Sequence, residues 1–278
     1  MPSITEEQWV DYYHFLRFPF DRPEAGNEEF SRPDFLASCF VEPEKFDRFT
    51  GQADNPVSGF LFAARGTGKT ACRVMIDYYC KVGAIPSKSH HEKQNSFVLS
   101  VPHIYLNNVV DMSRSEDGKI QILAKNHAIE ILQRAVPAFA ELIAKMPDGI
   151  ANVQKLQDAD KKDLGWLVAN YSNNLSSTQA NFLQSIGLDV FAEGENAIGF
   201  LPLSKSNKTS RQLSLAQYRL SKQAQNSPLD HLQNWAYLAH KVGIGSTYVL
   251  VDGADELEET ANDPEFAYRL LQPLTTNL

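Results

Sequence analysis

Residues 61–72 read LFAARGTGKTAC. The segment Gly66-Thr67-Gly68-Lys69-Thr70 has the composition of a loop that holds phosphate. The phosphate-loop pattern is G-x-x-x-x-G-K-[ST], and counting back from Gly68 places Ala63 where its first glycine stands. Three physical demands define such a loop. Backbone N–H groups must converge on an anion, which needs positive φ and therefore favours glycine at Gly66 and Gly68. A lysine must reach the β- and γ-phosphates, and Lys69 is placed for that. A hydroxyl must reach Mg²⁺, and Thr70 carries one. Alanine is the smallest replacement for the missing glycine and costs little where φ is negative, so Ala63 reads as a tolerable variant.

The flanks fit the same reading. SGFLFAA (58–64) is a short apolar run and predicts a buried strand, while KTACRVMIDYYCKVG (69–83) predicts a helix that ends at Gly83. The helix N-terminus would then face the anion. The binding stretch is Ala64, Arg65, Gly66, Thr67, Gly68, Lys69, Thr70 and Ala71.

A magnesium nucleotide site needs a second element, an apolar strand that ends in an acid. STYVLVDGADELEE (246–259) supplies one, with a strand at Thr247–Val251 and Asp252 at its carboxyl end. Thr70 and Asp252 are the candidate metal-side residues. Two further acids follow within one turn. A carboxylate there could orient a water on the γ-phosphate, with Glu256 the first choice and Asp255 the second. Either acid could instead complement the start of the following helix. Lys69, Asp255 and Glu256 are thus the candidate catalytic groups.

The pairing of AARGTGKT with VLVDGADE resembles the STAND class of P-loop NTPases, in its NACHT-like branch. FVEPEKFDRF (40–49) resembles the lead-in of bacterial ATPases of this kind. The resemblance covers about 35–110 and 225–278. It implies an α/β P-loop fold of the ASCE type, a parallel sheet flanked by helices, with ATP and Mg²⁺ as ligands. It also implies a nucleotide-controlled switch in a larger signalling or anti-phage defence protein. Sensing and effector domains would lie C-terminal to these residues, and a homo-oligomer is compatible with it. In this class a sensor strand separates the phosphate-loop strand from the acidic strand and follows the latter in sequence. Only one predicted helix follows Asp252, so the sheet is expected to be incomplete, with the native chain continuing beyond 278. AIGFLPL (197–203) is the best internal candidate for the missing strand.

The rest of the chain divides into a helical lead-in (1–57) and a core (58–278) carrying a mostly helical insertion at about 105–225. TEEQWVDYYHFL (5–16) and residues 32–51 predict short helices. SFVLSVPHIYL (96–106) predicts a second strand. Apolar residues recur at helical spacing from Glu116 to Met146, and again from about Asn152 to Tyr171. SPLDHLQNWAYLAHKVG (227–243) is amphipathic, capped by Ser227 and stopped by Gly243, and DPEFAYRLLQPL (263–274) predicts a last helix. Trp9, Trp166 and Trp235 fall in helical patterns and are assigned to the core or a lid.

Composition narrows the function. The chain of 278 residues carries 26 Lys and Arg against 34 Asp and Glu, a net charge of −8, which does not favour a nucleic-acid partner. The densest basic stretch, with Lys205, Lys208 and Arg211, reads as a solvated loop. Three cysteines (Cys39, Cys72 and Cys80) without a CxxC pair argue for a reducing, cytoplasmic compartment. No signal peptide or membrane segment is expected. His90-His91 reads as a loop, because no zinc spacing accompanies it. Arg65 and Arg73 are the nearest basic groups to the site and are read as surface or phosphate-adjacent. Two other functions fit the motifs: an AAA+/ORC-like motor acting on nucleic acid or protein, and a module that binds nucleotide without turnover.

Overall fold

The computed structural model describes residues 40–44, 46–53, 55–61, 68–85, 97–172, 175–186, 188–193, 197–202, 226–263 and 265–277. The expectations for Trp9, Cys39, Ala63, Ala64, Arg65, Gly66, Thr67, His90-His91, Lys205, Lys208 and Arg211 lie outside the described residues. In chain order the elements are α1 (Asp47–Thr50), α2 (Lys69–Lys81), β1 (Phe97–His103), α3 (Leu106–Ser113) and α4 (Ala124–Lys145). Then come α5 (Gly149–Lys155), α6 (Asp158–Tyr171), α7 (Ser177–Ser185), β2 (Leu188–Glu193) and β3 (Ala197–Pro202). The described chain closes with α8 (Pro228–Lys241), β4 (Ile244–Val251), α9 (Glu258–Asn262) and α10 (Glu265–Asn277).

The fold is mixed α/β. β1 and β4 pair in parallel, with Ser100 beside Tyr248 and His103 beside Val251. Strand residues alternate between faces, and the pairing sorts the layers. Val98 and Tyr248 face one way and pack with Cys72, Met75, Ile76 and Cys80 of α2. Leu99 and Val101 face the other way, into the main core with α4, α6 and α8. β1 is therefore covered on both faces, which is why it is nearly continuous in apolar residues, while Val249 and Val251 of β4 stay exposed.

The main core follows from helical periodicity. Ile131, Leu132, Ala135, Phe139, Leu142 and Ile143 of α4 lie on one face and are buried. Trp235 of α8 is 1% exposed and meets Phe139 edge-on at 5.3 Å between ring centroids, a preferred aromatic geometry. Trp166 is also buried in this core. α8 begins as expected, at a capping box in which Ser227 Oγ accepts from the Asp230 N–H. Gly83 and Gly243, at φ 69° and 96°, end α2 and α8 where glycine alone enters the left-handed region cheaply.

Several expectations are corrected. Residues 58–61, expected in a strand, have no regular secondary structure, and Phe60 and Leu61 are exposed. A strand is a paired object, and the described pairing of β1 and β4 does not include them. Within the stretch 197–203, Ala197–Pro202 do form a strand, β3, but it pairs antiparallel with β2 in a separate hairpin. The candidate for the missing position in the parallel sheet is thereby lost. The helix expected from Glu116 starts at Ala124, because Asp117-Gly118 makes a turn, with Gly118 at φ 79° and Ser115 Oγ donating to the Lys119 carbonyl at 2.8 Å. The helical stretch from Asn152 to Tyr171 breaks at extended Leu156 and Gln157, and α6 restarts with Asp158 and Asp160 in its first turn. Among the described residues, no helix is long and apolar enough to cross a membrane.

Candidate active site

The site forms where the start of α2 meets the carboxyl end of β4. Gly68 caps α2 at φ 90°, ψ 19°. A side chain there would be strained, while a Cβ would meet nothing within 4 Å among the described residues. The glycine is needed for the backbone bend. Lys69 begins the helix, with Thr70 and Ala71 half-buried in its first turn.

The acidic strand arrives from the other side of the sequence. In β4, Tyr248 and Leu250 point toward α2, so by alternation Asp252 does too. Gly253, at φ 81°, turns the chain sharply, and its N–H donates to Asp252 Oδ1 at 2.9 Å. The Glu256 N–H then bonds the Gly253 carbonyl at 3.1 Å. Ala254 and Leu257 are anchored against a small cluster of Leu106, Val109, Val110, Phe266 and Leu270. Asp255 and Glu256, between those anchors, stay exposed. The Glu256 carboxylate folds back over the turn, with one oxygen 3.9 Å from where a Gly253 Cβ would stand.

Two cation–acid contacts join the halves. Lys69 Nζ lies 3.8 Å from Asp255 Oδ2, close enough for attraction and too far for a hydrogen bond. Arg73 Nε donates to Asp252 Oδ2 at 3.2 Å. Arg73 is only 7% exposed, which corrects the surface reading of this residue. Asp77 and Lys81 continue the same row of α2 at i, i+4 spacing. Ser100 Oγ donates to Asp77 Oδ1 at 2.6 Å, and Lys81 Nζ lies 2.8 Å from Asp77 Oδ2. One edge of α2 is thus polar along its length, and each described side chain in that row has a charged or hydroxyl partner.

Beside Asp252 lies a feature that the sequence reading missed. His103 ends β1 abreast of Val251 and is fully buried. His103 Nε2 is 2.8 Å from His127 Nδ1, and His127 Nε2 is 2.8 Å from the Leu270 carbonyl oxygen. A carbonyl only accepts, so the proton sits on His127 Nε2. The neutral ring then accepts at Nδ1 from the His103 Nε2–H. Burial brings the His103 pKa down to about 3, with the neighbouring His127 ring and Arg134 acting in the same direction. Burial also lowers that of His127, partly opposed by its bond to Leu270. The available signal was a histidine closing an otherwise apolar strand run. For Arg73 the signal was its place one turn beyond Lys69.

Lys69 and Asp255, and Asp252 through Arg73, are therefore brought together, with Glu256 on the same loop. Ala64, Arg65, Gly66 and Thr67 lie outside the described residues. Among the described residues, no cluster of three or more His, Cys, Asp or Glu could hold a metal by itself. A magnesium site needs no such cluster, since Mg²⁺ is held by one or two carboxylates with water and substrate phosphates completing its shell. Asp252 supplies a carboxylate and Thr70 a hydroxyl, the kinds of group such a site uses. Comparison with protein-family models, curated proteins and solved structures gives no match.

Proposed function

We propose that the chain is a P-loop NTPase module that binds ATP with Mg²⁺, hydrolyses it, and serves as a switch within a larger signalling or anti-phage defence protein. One observation carries this reading. Lys69 and Arg73, in the first turns after the glycine loop, contact Asp255 and Asp252, which lie far along the chain, 179 residues away in the case of Arg73 and Asp252. Each motif half is common by itself, and their meeting at the carboxyl ends of parallel strands is what a phosphate site requires. The parallel pairing of β4 with β1 also supports the α/β P-loop assignment.

The roles follow from position. The Gly68 turn and the N–H groups at the start of α2 would receive phosphate. Lys69 would leave Asp255 for the γ-phosphate, because a dianionic phosphate in the loop outcompetes an exposed carboxylate at 3.8 Å. Thr70 and Asp252 would hold Mg²⁺, which supplies charge neutralisation on the phosphates when bound. Glu256 would orient the attacking water. Asp255, already facing Lys69, is the second choice for that role. Expected partners are the nucleotide and further sensing or effector domains of the same polypeptide.

Nucleotide binding and phosphate release by the purified chain test the reading. Lys69→Ala should weaken binding and lose release, and Glu256→Gln should keep binding and lose release. Absence of binding in a folded sample would refute the site. Binding without release by the unaltered chain would favour the module that holds nucleotide without turnover.

A further inference from the structure

We propose that Arg73 guards Asp252: its guanidinium holds the carboxylate that magnesium would take, and so sets the magnesium requirement of nucleotide binding. The proposal rests on the nucleotide reading and specifies how that site is regulated.

Both oxygens of Asp252 are engaged. Oδ1 accepts the Gly253 N–H at 2.9 Å and Oδ2 accepts Arg73 Nε at 3.2 Å. The pair is well shielded, with side-chain exposures of 7% for Arg73 and 18% for Asp252. Salt therefore screens it less than a surface bridge. Mg²⁺ takes oxygen ligands at about 2.1 Å in strict octahedral geometry. An ion seated on this carboxylate would sit within a few ångströms of a positively charged guanidinium. Two cations cannot share the acid without strong repulsion, so magnesium must displace Arg73 or bind weakly beside it. Lys69 stands in a looser relation to Asp255, at 3.8 Å with the acid 57% exposed. Of the two contacts, the one at Asp252 is therefore the gate.

Removing the positive charge while keeping the fold should free Asp252 for magnesium. The experiment measures binding of a fluorescent ATP analogue during a magnesium titration from an EDTA-treated start. It compares the wild-type chain with Arg73→Gln, Arg73→Met and Arg73→Lys, each checked for folding by circular dichroism. The neutral variants should reach half-maximal binding at roughly tenfold lower Mg²⁺, the scale on which a nearby charge shifts occupancy of a carboxylate. Arg73→Lys, which keeps the charge, should stay near the wild type. A purely structural arginine would lower thermal stability and leave the magnesium midpoint in place, and that result overturns the proposal while the nucleotide reading survives. Absence of nucleotide binding at any magnesium level overturns both.

Should the neutral variants fail to fold, the wild-type chain answers by nitrogen-15 NMR. The Arg73 Nε–H signal should shift when magnesium joins bound nucleotide, and hold still when nucleotide is added with EDTA. A signal indifferent to magnesium overturns the proposal.

Discussion

Around Phe139 and Trp235, helices α4, α6 and α8 meet through apolar side chains that are almost completely buried. Across the sheet, α2 is held in two ways at once: Met75, Ile76 and Cys80 pack on Val98 and Tyr248, while Arg73 and Asp77 reach Asp252 and Ser100. The first kind of contact is non-directional and tolerates small shifts of one helix against another. The second is directional, and each contact in it depends on the position of a particular donor and acceptor. The molecule thus separates a region held by apolar packing from one held in part by directional contacts.

The sharpest way to break that contrast is a core truncation. Phe139→Ala removes a fully buried ring that faces Trp235 and should cost about 3–5 kcal/mol. Chemical denaturation measures the loss, and nucleotide affinity of the protein that remains folded should be unchanged. Lys69→Ala is the converse test. Affinity for nucleotide should fall about 100-fold, or roughly 2.7 kcal/mol, by equilibrium titration. Stability should move by no more than about 1 kcal/mol, since the Lys69–Asp255 pair is partly exposed.

Acid gives a third test. His103 and His127 have folded-state pKa values below the unfolded value of about 6.5. Between those limits the unfolded chain binds more protons, so stability is complete above pH ~6.5 and declines as pH falls toward 3. The thermal midpoint should start to drop near pH ~6.5, above the range in which free carboxylates titrate, and His103→Leu should flatten that onset. The smallest effect belongs to Ser227→Ala, which removes the cap of α8 and should cost about 1 kcal/mol, with no change in nucleotide binding.

Much of this was legible in the sequence where local rules act alone. The start of α2 at Lys69 and its stop near Gly83 follow from glycine chemistry. The Ser227 cap of α8 follows from side-chain hydrogen bonding, and the face of α4 from a 3.6-residue period. Asp252, Asp255 and Lys69 were legible as a set, because acids at a strand end and lysine after glycine carry recognisable chemistry. The failures are of another kind. Whether 58–61 is a strand depends on pairing partners, and whether 197–203 joins the parallel sheet depends on β2. Neither partner is encoded in the segment itself. The surface alternative for Arg73 failed because an arginine on a helix is usually exposed, and the arrival of Asp252 explains its burial.

The chain from His103 through His127 to the Leu270 carbonyl has a fixed direction, set at its far end by an oxygen that can only accept. α10 therefore dictates the polarity of the hydrogen bonds at the tip of β1, next to the strand that carries Asp252. Were α10 to lift away, the clamp on His127 would go and both rings could exchange tautomers. The imidazole nitrogens would then report, as a spectroscopic dial, whether the last described helix is seated against the sheet.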